Sequence, residues 1–183
     1  MAIENPVAVS GPDEPRPGEW IKPAEFATIL RLTPLVAIDL IVHSPAGRIL
    51  VGRRTNEPAK NFLFVPGSRI SKNETRGVAF KRITREELGL ELAIETSRFL
   101  GVYDHIYPTN RFEQRGFGTH YVTLGYELTL ELDLAALPKD QHGEYLWLTP
   151  TELLRSPEVH QNTKNYFIPN APSASPNTSQ PAR

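Results

Sequence analysis

A charged helix that ends at a glycine is the feature that most restricts what this chain can fold into. Residues 75–88 have a helical pattern, and Gly89 follows where a left-handed residue commonly ends a helix. Ile83, Glu86 and Glu87 are spaced at i, i+3 and i+4, so their side chains share one face of the helix. Two carboxylates on such a face suit a hard cation, although a glutamate pair near a helix end is more often only a solvated surface.

Strand-like runs lie on both sides of this helix. They are found at 35–42, 48–54, 62–65, 99–107, 120–130 and 144–148. Further helical patterns are found at 23–32, 149–155 and around 157–167, and a turn at 45–47 joins the first two strands as a hairpin. Strands before and after one central helix predict an α/β domain of the α+β type and argue against a doubly wound repeat.

The two ends of the chain differ in composition from the middle. Residues 1–18 contain four prolines, and residues 169–183 are rich in Pro, Ser and Asn. Neither segment has enough large apolar groups to offset the entropy lost on ordering. We therefore predict one folded domain at 19–168 between two disordered tails.

Composition argues against several classes of function. The formal net charge is −1, so no basic excess indicates nucleic acid or an anionic membrane as a partner. The 183 residues include no cysteine, which excludes disulfides, thiolate metal sites and a cysteine nucleophile. No apolar run approaches the roughly 20 residues of a membrane span, and the N-terminus lacks the pattern of a secretory signal. A cytoplasmic location is the expectation.

Residues 68–90 resemble the Nudix box, which is written G-x5-E-x7-R-E-U-x-E-E-x-G-U, where U is a bulky aliphatic residue. Three positions depart from it: Ser68 replaces the first glycine, Ile83 the first helix glutamate and Thr84 the first aliphatic residue. The positions that agree are Glu74, Arg82, Glu86, Glu87, Gly89 and Leu90. The resemblance implies a Mg²⁺-dependent hydrolase with the Nudix fold, in which a mixed β-sheet is sandwiched between helices.

Ile83 bears on the number of metal ions. An isoleucine at this position removes one oxygen ligand and lowers the negative charge of the helix face. One Mg²⁺ held mainly by Glu87 is therefore favoured over a cluster, unless Glu86 binds a second ion. Glu74 and Arg82 are expected to form a structural pair across the junction of loop and helix.

Beyond the box, residues 20–168 resemble the GDP-mannose mannosyl hydrolases, a group within the Nudix superfamily. The matching stretches are FAT (26–28), TPLV (33–36), RTN (54–56), FVPG (64–67), ELGL (87–90), THYV (119–122), QH (141–142) and WLT (147–149). That family also lacks the glutamate at the position of Ile83, whereas Ser68 and Glu86 differ from its glycine and alanine. The resemblance implies a homodimer that hydrolyses GDP-mannose, with GDP-glucose tolerated. Water attacks sugar C1, giving GDP and the inverted hexose.

The resemblance also implies a metal site and a general base. Gly67 would supply a backbone carbonyl, and Glu87 and Gln141 side-chain oxygens, to one Mg²⁺ per subunit, for which Mn²⁺ can substitute. Such hard oxygen ligands suit Mg²⁺. His142 would be the general base, because an imidazole pKa of roughly 6.5 allows it to accept a proton from water near neutrality.

Other residues carried over from the family would contact the substrate. Arg54 and Arg69 would stabilise the leaving diphosphate, because guanidinium groups match phosphate oxygens. Tyr121 would donate a further hydrogen bond. Asp39 and His105 would contact the mannose, and Trp20 and Ile21 would contact the guanine. Asp39 lies inside an apolar strand, where it must either face outward by alternation or be bound.

Two other functions stay open at this point. A nucleotide-sugar pyrophosphohydrolase would give GMP and sugar 1-phosphate, and the carboxylate missing at Ile83 argues against it. A Nudix-fold binding module without turnover is the other, and the presence of Glu87, Gln141 and His142 together argues against that. The other histidines are expected to serve surface or core packing: His43, His120 and His160.

Overall fold

The computed structural model describes residues 21–139 and 141–168, and the helices and strands below lie within these ranges. The α-helices are α1 (Pro23–Leu32), α2 (Arg76–Leu88), α3 (Pro150–Arg155) and α4 (Gln161–Asn165). The strands are β1 (Leu35–His43), β2 (Ile49–Arg54), β3 (Leu63–Phe64), β4 (Gly67–Arg69), β5 (Arg98–Tyr107), β6 (Thr119–Thr129) and β7 (His142–Leu148). The predicted tails lie outside the described residues, so the domain limits of 19–168 stay a prediction.

These strands form one mixed sheet with the order β3-β2-β1-β6-β5. β1 runs parallel to β6 along its whole length, while β6 with β5, and β2 with β3 and β7, pair antiparallel. β1 meets β2 only at the hairpin end, where His43 lies opposite Ile49. Closer to its start, β1 pairs with the short β4, with Asp39 opposite Gly67. β1 and β2 therefore separate beyond their hairpin, and β4 pairs with β1 where β2 does not.

Alternation along the strands gives the sheet two different faces. On the first face, Ile38 and Leu40 of β1 pack with Leu50 of β2 against α2. On the second face, Ile49 and Val51 of β2 pack against α3. The mixed sheet thus lies between helices, and the predicted α+β class is confirmed.

The central helix begins and ends where the sequence predicts. The Thr75 hydroxyl accepts a hydrogen bond from the Val78 amide at 3.3 Å, which caps the N-terminus of α2. Gly89 adopts a left-handed φ of 71° at the C-terminus. Phe80 and Ile83 are fully buried on the inner side of α2. Ile83 is therefore part of the apolar core.

Two elements differ from the sequence-based expectation. The strand β4 was not predicted, because three residues are too few for an alternation pattern and the strand exists only through its pairing with β1. The helix expected around 157–167 is shorter, at Gln161–Asn165. None of the helices in the described part of the chain is long and apolar enough to cross a membrane.

Candidate active site

A cavity of about 570 Å³ opens where β1, β4, β5 and β6 meet the C-terminal half of α2. Its walls combine buried polar side chains from the strands with charged side chains from α2 and the loops. Of the eleven residues predicted for the site, eight line this cavity: Asp39, Arg54, Gly67, Arg69, Glu87, His105, Tyr121 and Gln141.

The other three predicted residues have different places. Trp20 lies outside the described residues. Ile21 is partly buried ahead of α1 and does not line the cavity. His142 is only 1 % exposed and also does not line it, and its Nε2 lies 3.5 Å from Oε2 of Glu87.

Glu87, Gln141 and His142 form one contact group. The Gln141 side-chain nitrogen donates to Oε1 of Glu87 at 2.7 Å. Nε2 of His142 lies 3.5 Å from Oε2 of the same carboxylate. Glu87 is 3 % exposed, and within the described ranges no Lys or Arg forms an ion pair with it. A buried carboxylate whose polar partners in the described ranges are an amide and an imidazole is suited to a cation.

The close packing of His142 depends on a glycine. A side chain at Gly52 would place its Cβ 2.5 Å from Nδ1 of His142, so the ring lies directly over the backbone of β2. Nδ1 is buried and has no hydrogen-bond partner among the described residues. The imidazole is thus packed between Gly52 and Glu87, with one ring nitrogen unsatisfied.

Gly67 has a backbone geometry that suits its predicted role. The hydrogen bonds next to it run from the Leu40 amide to the Pro66 carbonyl and from the Ile70 amide to the Val36 carbonyl, each at 2.8 Å. Gly67 therefore occupies a non-hydrogen-bonded position opposite its partner strand, and its carbonyl points away from β1. That carbonyl is not used by the pairing of β4 with β1.

Arg82 of α2 pairs with Glu74, which precedes the helix, and with Glu86 one turn further along it. Nε of Arg82 donates to Glu74 at 2.6 Å, and its Nη2 donates to the Arg69 carbonyl at 2.9 Å. The predicted structural pair of Glu74 and Arg82 is thereby confirmed. Nη1 of Arg82 also donates to Oε2 of Glu86 at 2.8 Å. Glu86 borders the cavity, but its charge is compensated by this guanidinium.

The residues implied as metal ligands fit the chemistry of Mg²⁺. Across residues 21–139 and 141–168, no three His, Asp or Glu side chains are grouped to hold a metal ion. The implied set is of another kind, because it combines the Glu87 carboxylate, the Gln141 amide oxygen and the Gly67 carbonyl. All three are hard oxygen donors and border the same cavity.

Arg54 and Arg69 enter the cavity as cations that form no ion pair among the described residues. The Arg54 guanidinium carbon lies 5.9 Å from the centroid of the Phe64 ring, and that of Arg69 lies 4.9 Å from the Phe26 ring. Nε of Arg54 is buried and lacks a hydrogen-bond partner in the described ranges. Burial is the main cause that lowers the pKa of Arg69. Two partly desolvated guanidinium groups held on aromatic rings are suited to an anion.

Asp39 is bound inside the domain, the second of the two arrangements that the sequence allowed. The Tyr166 hydroxyl donates to its Oδ2 at 2.8 Å, and Nδ1 of His105 lies 3.8 Å from that oxygen. Burial raises the pKa of Asp39 to about 7, while the Tyr166 hydrogen bond and the Arg54 charge act to lower it. Burial also lowers the pKa of His105 to about 3, so this imidazole is neutral near pH 7.

Comparison with known proteins identifies the family. A family model described as the NUDIX domain matches residues 33–171. The chain belongs to the Nudix family. It is 39 % identical over 119 residues to the low-salt glycan biosynthesis protein Agl8 of Haloferax volcanii, a match that covers 64 % of this chain and 73 % of that protein.

Solved structures agree with this Nudix assignment. A MutT Nudix hydrolase from Burkholderia pseudomallei has a TM-score of 0.58 and 26 % identity, covering 73 % of this chain and 95 % of the other. A MutT protein from Methanosarcina mazei Go1 has a TM-score of 0.59 over 73 % of this chain and 91 % of the other, at 15 % identity. The predicted fold and the predicted hydrolase superfamily are therefore confirmed.

The Nudix cavity contains residues that the sequence did not single out. Tyr107 and Thr123 border it, each two positions from a predicted residue on the same strand. Alternation from His105 and Tyr121 could have identified them. Tyr166, the hydrogen-bond donor to Asp39, had no such local signal.

Arg111 is a further cation at the cavity, delivered by the loop between β5 and β6. Asn110, which is fully buried, organises that loop through its side chain. Its Nδ2 donates to the carbonyls of Gln114 and Phe117 at 2.8 and 2.9 Å, and its Oδ1 accepts from two loop amides. An asparagine inside a polar loop is ordinary in sequence, so this arrangement was not predicted.

Proposed function

We propose that this Nudix protein hydrolyses GDP-hexoses, GDP-mannose above all, by attack of water on sugar C1 with inversion, releasing GDP and the free hexose. The group around Glu87 carries the proposal. Ile83 is in the apolar core and Glu86 is paired with Arg82, so α2 offers the cavity one carboxylate without a basic partner among the described residues. A single carboxylate supports one hard cation better than a cluster.

The diphosphate is bound by Arg54 and Arg69 in this proposal. Both are cations at the cavity wall without carboxylate partners in the described ranges, and guanidinium groups match phosphate oxygens. Tyr121 contributes a hydrogen bond from the same wall. Fixed positive groups that stabilise a departing diphosphate lower the barrier to breaking its bond to carbon.

Asp39 and His105 bind the hexose. Both are buried polar groups at the cavity wall, and an uncharged imidazole beside a carboxylate can exchange hydrogen bonds with sugar hydroxyls. The diphosphate and the hexose thus have separate sets of partners. That separation is what a nucleotide sugar requires.

One Mg²⁺ per subunit, or Mn²⁺ in its place, is held by the Gly67 carbonyl, Glu87 and Gln141. Bound there, it supplies positive charge that makes the nucleoside diphosphate a better leaving group. His142 is the general base that accepts the proton of the attacking water. Because Nε2 of His142 faces Glu87, this role requires the imidazole to turn toward the cavity during the reaction.

The name of the Haloferax relative refers to glycan biosynthesis. Nucleotide sugars are activated donors for glycan assembly, so this likeness supports a nucleotide-sugar substrate. We further propose a cytoplasmic homodimer in which Trp20 and Ile21 contact the guanine. Sedimentation velocity of the full chain at micromolar concentration tests the dimer directly.

The position of bond cleavage distinguishes the candidate reactions. The protein is incubated with GDP-mannose and Mg²⁺ in ¹⁸O-water, and the products are analysed by mass spectrometry. We expect the label in mannose, with none in GDP, and the inverted anomer first in the NMR spectrum. The variant Glu87→Gln, checked for folding by circular dichroism, serves as the control without turnover.

A pyrophosphohydrolase is the alternative that one observation favours. Glu86 borders the cavity beside Glu87, and release of Glu86 from Arg82 would provide a second carboxylate. That reaction would put the label into GMP or sugar 1-phosphate and contradict attack at C1. A folded protein without turnover of any nucleotide sugar would instead support a binding module.

A further inference from the structure

The hydrogen bond to Asp39 comes from the other end of the chain. Tyr166 and Asp39 are separated by 127 positions, and the hydroxyl donates to Oδ2 at 2.8 Å. Within the described ranges, this hydroxyl is the hydrogen-bond donor to the Asp39 side chain, since Nδ1 of His105 lies at 3.8 Å. No Lys or Arg forms an ion pair with Asp39 in those ranges. The position of this buried carboxylate therefore depends on one hydroxyl group.

The second carboxylate oxygen of Asp39 faces Gly67. A Cβ built on Gly67 would lie 2.5 Å from Oδ1, so the carboxylate fills the space that a side chain would need. Asp39 and Gly67 both border the cavity, whereas Tyr166 does not. Tyr166 thus reaches the cavity through residues that border it, by its hydrogen bond to Asp39 and its approach to His105.

The ring of Tyr166 is itself closely packed. Its centroid lies 4.5 Å from that of Tyr103 in an edge-to-face arrangement, and its hydroxyl is 3.4 Å from Nε2 of His105. A Cβ at Gly125 would lie 3.0 Å from Cε1 of Tyr166. The glycine on β6 therefore leaves the space that the Tyr166 ring occupies. The segment after α4 thereby supports the hexose end of the cavity.

We propose that Tyr166 is a positioning residue that orients Asp39 for the hexose of the substrate and so contributes to recognition of the sugar. The inference rests on the proposed function, because it assumes that Asp39 binds the hexose. Tyr166 acts through Asp39, and within the described ranges its hydroxyl hydrogen-bonds neither of the diphosphate partners Arg54 and Arg69. Its loss should therefore weaken binding of the sugar and leave binding of GDP unchanged.

The test compares Tyr166→Phe with Tyr103→Phe. Both substitutions keep the edge-to-face ring pair, but only the first removes a hydroxyl that hydrogen-bonds Asp39, since the Tyr103 hydroxyl has no hydrogen bond among the described residues. We expect KM for GDP-mannose to rise about tenfold or more in Y166F, the scale of one hydrogen bond to a charged group, with kcat changed less than about threefold. The inhibition constant of GDP should stay within about twofold, and Y103F should match the wild type in all three quantities.

A double-mutant cycle with Asp39→Asn tests whether Tyr166 acts through Asp39. In the D39N background, Y166F should raise KM by less than about twofold, because the group that it positions has already been altered. Equal effects of Y166F in both backgrounds would overturn the positioning role. Equal weakening of GDP and GDP-mannose binding by Y166F would overturn it as well, since that result indicates general loss of structure.

A crystal structure of Y166F keeps the inference separate from the proposed function. We expect the Asp39 side chain to leave its position while β1 stays in place, and an unmoved carboxylate would overturn the positioning role whatever the substrate. Absence of GDP-hexose turnover by the wild type, in contrast, contradicts the proposed function and removes the sugar from the inference. If the wild type hydrolyses GDP-mannose and Y166F has the same KM, the role of Tyr166 is refuted but the proposed function is not.

Discussion

Individual residues of α2 differ sharply in their surroundings, although they are neighbours in the sequence. Ile83 is fully buried among apolar side chains, Glu86 pairs with Arg82, and Glu87 is buried beside Gln141. The helical spacing alone puts Ile83, Glu86 and Glu87 on one face. Their different partners make only Glu87 a good candidate for a metal ligand.

Restoring the glutamate of the Nudix box at position 83 should destabilise the protein. Ile83→Glu would place a carboxylate in the apolar core between α2 and the sheet, at a cost of about 3–5 kcal/mol in the free energy of unfolding. Ile83→Leu, which nearly conserves volume, should cost less than about 1.5 kcal/mol. Urea denaturation measures both. Equal stability of I83E and the wild type would show that the side chain at position 83 reaches the cavity or solvent.

His142 offers a direct test of the proposed base. His142→Gln should reduce kcat for GDP-mannose by about 10²–10⁴-fold, the usual scale for loss of a general base. His120→Gln is the matched control, because His120 is partly exposed on β6 and lies 3.5 Å from Asp104, outside the cavity. Single-turnover kinetics with saturating Mg²⁺ gives the comparison. A near-normal rate for H142Q would remove His142 from the mechanism.

At the scale of elements, α2 depends on the residue types at its two ends. Gly77 lies in its first turn with ordinary backbone angles, and Gly89 ends it with a positive φ. The space around both glycines is open, since a Cβ at Gly77 would meet Ile94 at 3.9 Å and one at Gly89 would meet Pro138 at 3.9 Å. Backbone conformation, and not steric contact, therefore decides the effect of alanine at each position.

Alanine should have opposite effects at these two glycines. Gly77→Ala should stabilise the protein by about 0.5 kcal/mol, because alanine loses less conformational entropy in a helix. Gly89→Ala should destabilise it by about 1 kcal/mol, because an L-residue is strained at positive φ, and Gly89→Asn should cost less. Thermal unfolding of the three variants measures the order. A stabilising Gly89→Ala would contradict the left-handed end of α2.

Across the whole molecule, buried titratable groups from distant segments oppose one another. Burial raises the pKa of Asp39 to about 7 and lowers that of His105 to about 3. As pH falls from 6.5 to 4, His105 binds a proton in the unfolded chain but not in the folded protein, which lowers stability. Over the same range Asp39 binds a proton in the folded protein but not in the unfolded chain, which raises stability. These two effects on the free energy of unfolding largely cancel. Burial also lowers the pKa of His160 to about 4, with a further effect of the Arg54 charge. Across residues 21–139 and 141–168, no second carboxyl group has a raised pKa that would offset this effect.

The stability of the protein should therefore decrease on acidification through the range set by His160. In the unfolded chain this imidazole gains a proton near pH 6.5, whereas in the folded protein it gains one only near pH 4, so between these values the unfolded state binds more protons. The free energy of unfolding is unaffected by His160 above pH 6.5. Below that pH, His160 lowers it by at most about 1.4 kcal/mol per pH unit. Urea denaturation at pH 7 and pH 5 measures the change.

His160→Asn isolates this contribution. Asparagine can replace Nδ1 of His160 as the acceptor that caps α4, and it does not titrate. H160N should be less stable overall, because an aromatic ring is lost, but should lose less stability than the wild type between pH 7 and pH 5. Phe62→Leu perturbs the same ring cluster without a titrating group and should keep the wild-type pH dependence. A pH dependence of H160N equal to that of the wild type would assign the acid sensitivity elsewhere.

Much of the fold and part of the site follow from local patterns. The helix at 75–88, its glycine end and the strand runs could be predicted, because helix caps and two-residue alternation are properties of a few consecutive residues. The sequence also brought eight cavity residues forward through the resemblance to a family. The short β4 and the pairing of Glu86 with Arg82 could not be predicted from local patterns. Each depends on which of several possible partners the folded chain brings nearest.

The charged helix was determined by the sequence itself, since capping, spacing and the glycine end are all local. Only the tertiary structure decided which of its side chains matters, by burying Ile83, pairing Glu86 and bringing Gln141 to Glu87 across 54 positions. It also brought Tyr166 to Asp39, and neither residue has a local pattern that indicates the other. Contacts between distant segments depend on how the strands and helices pack, and packing is a property of the whole chain.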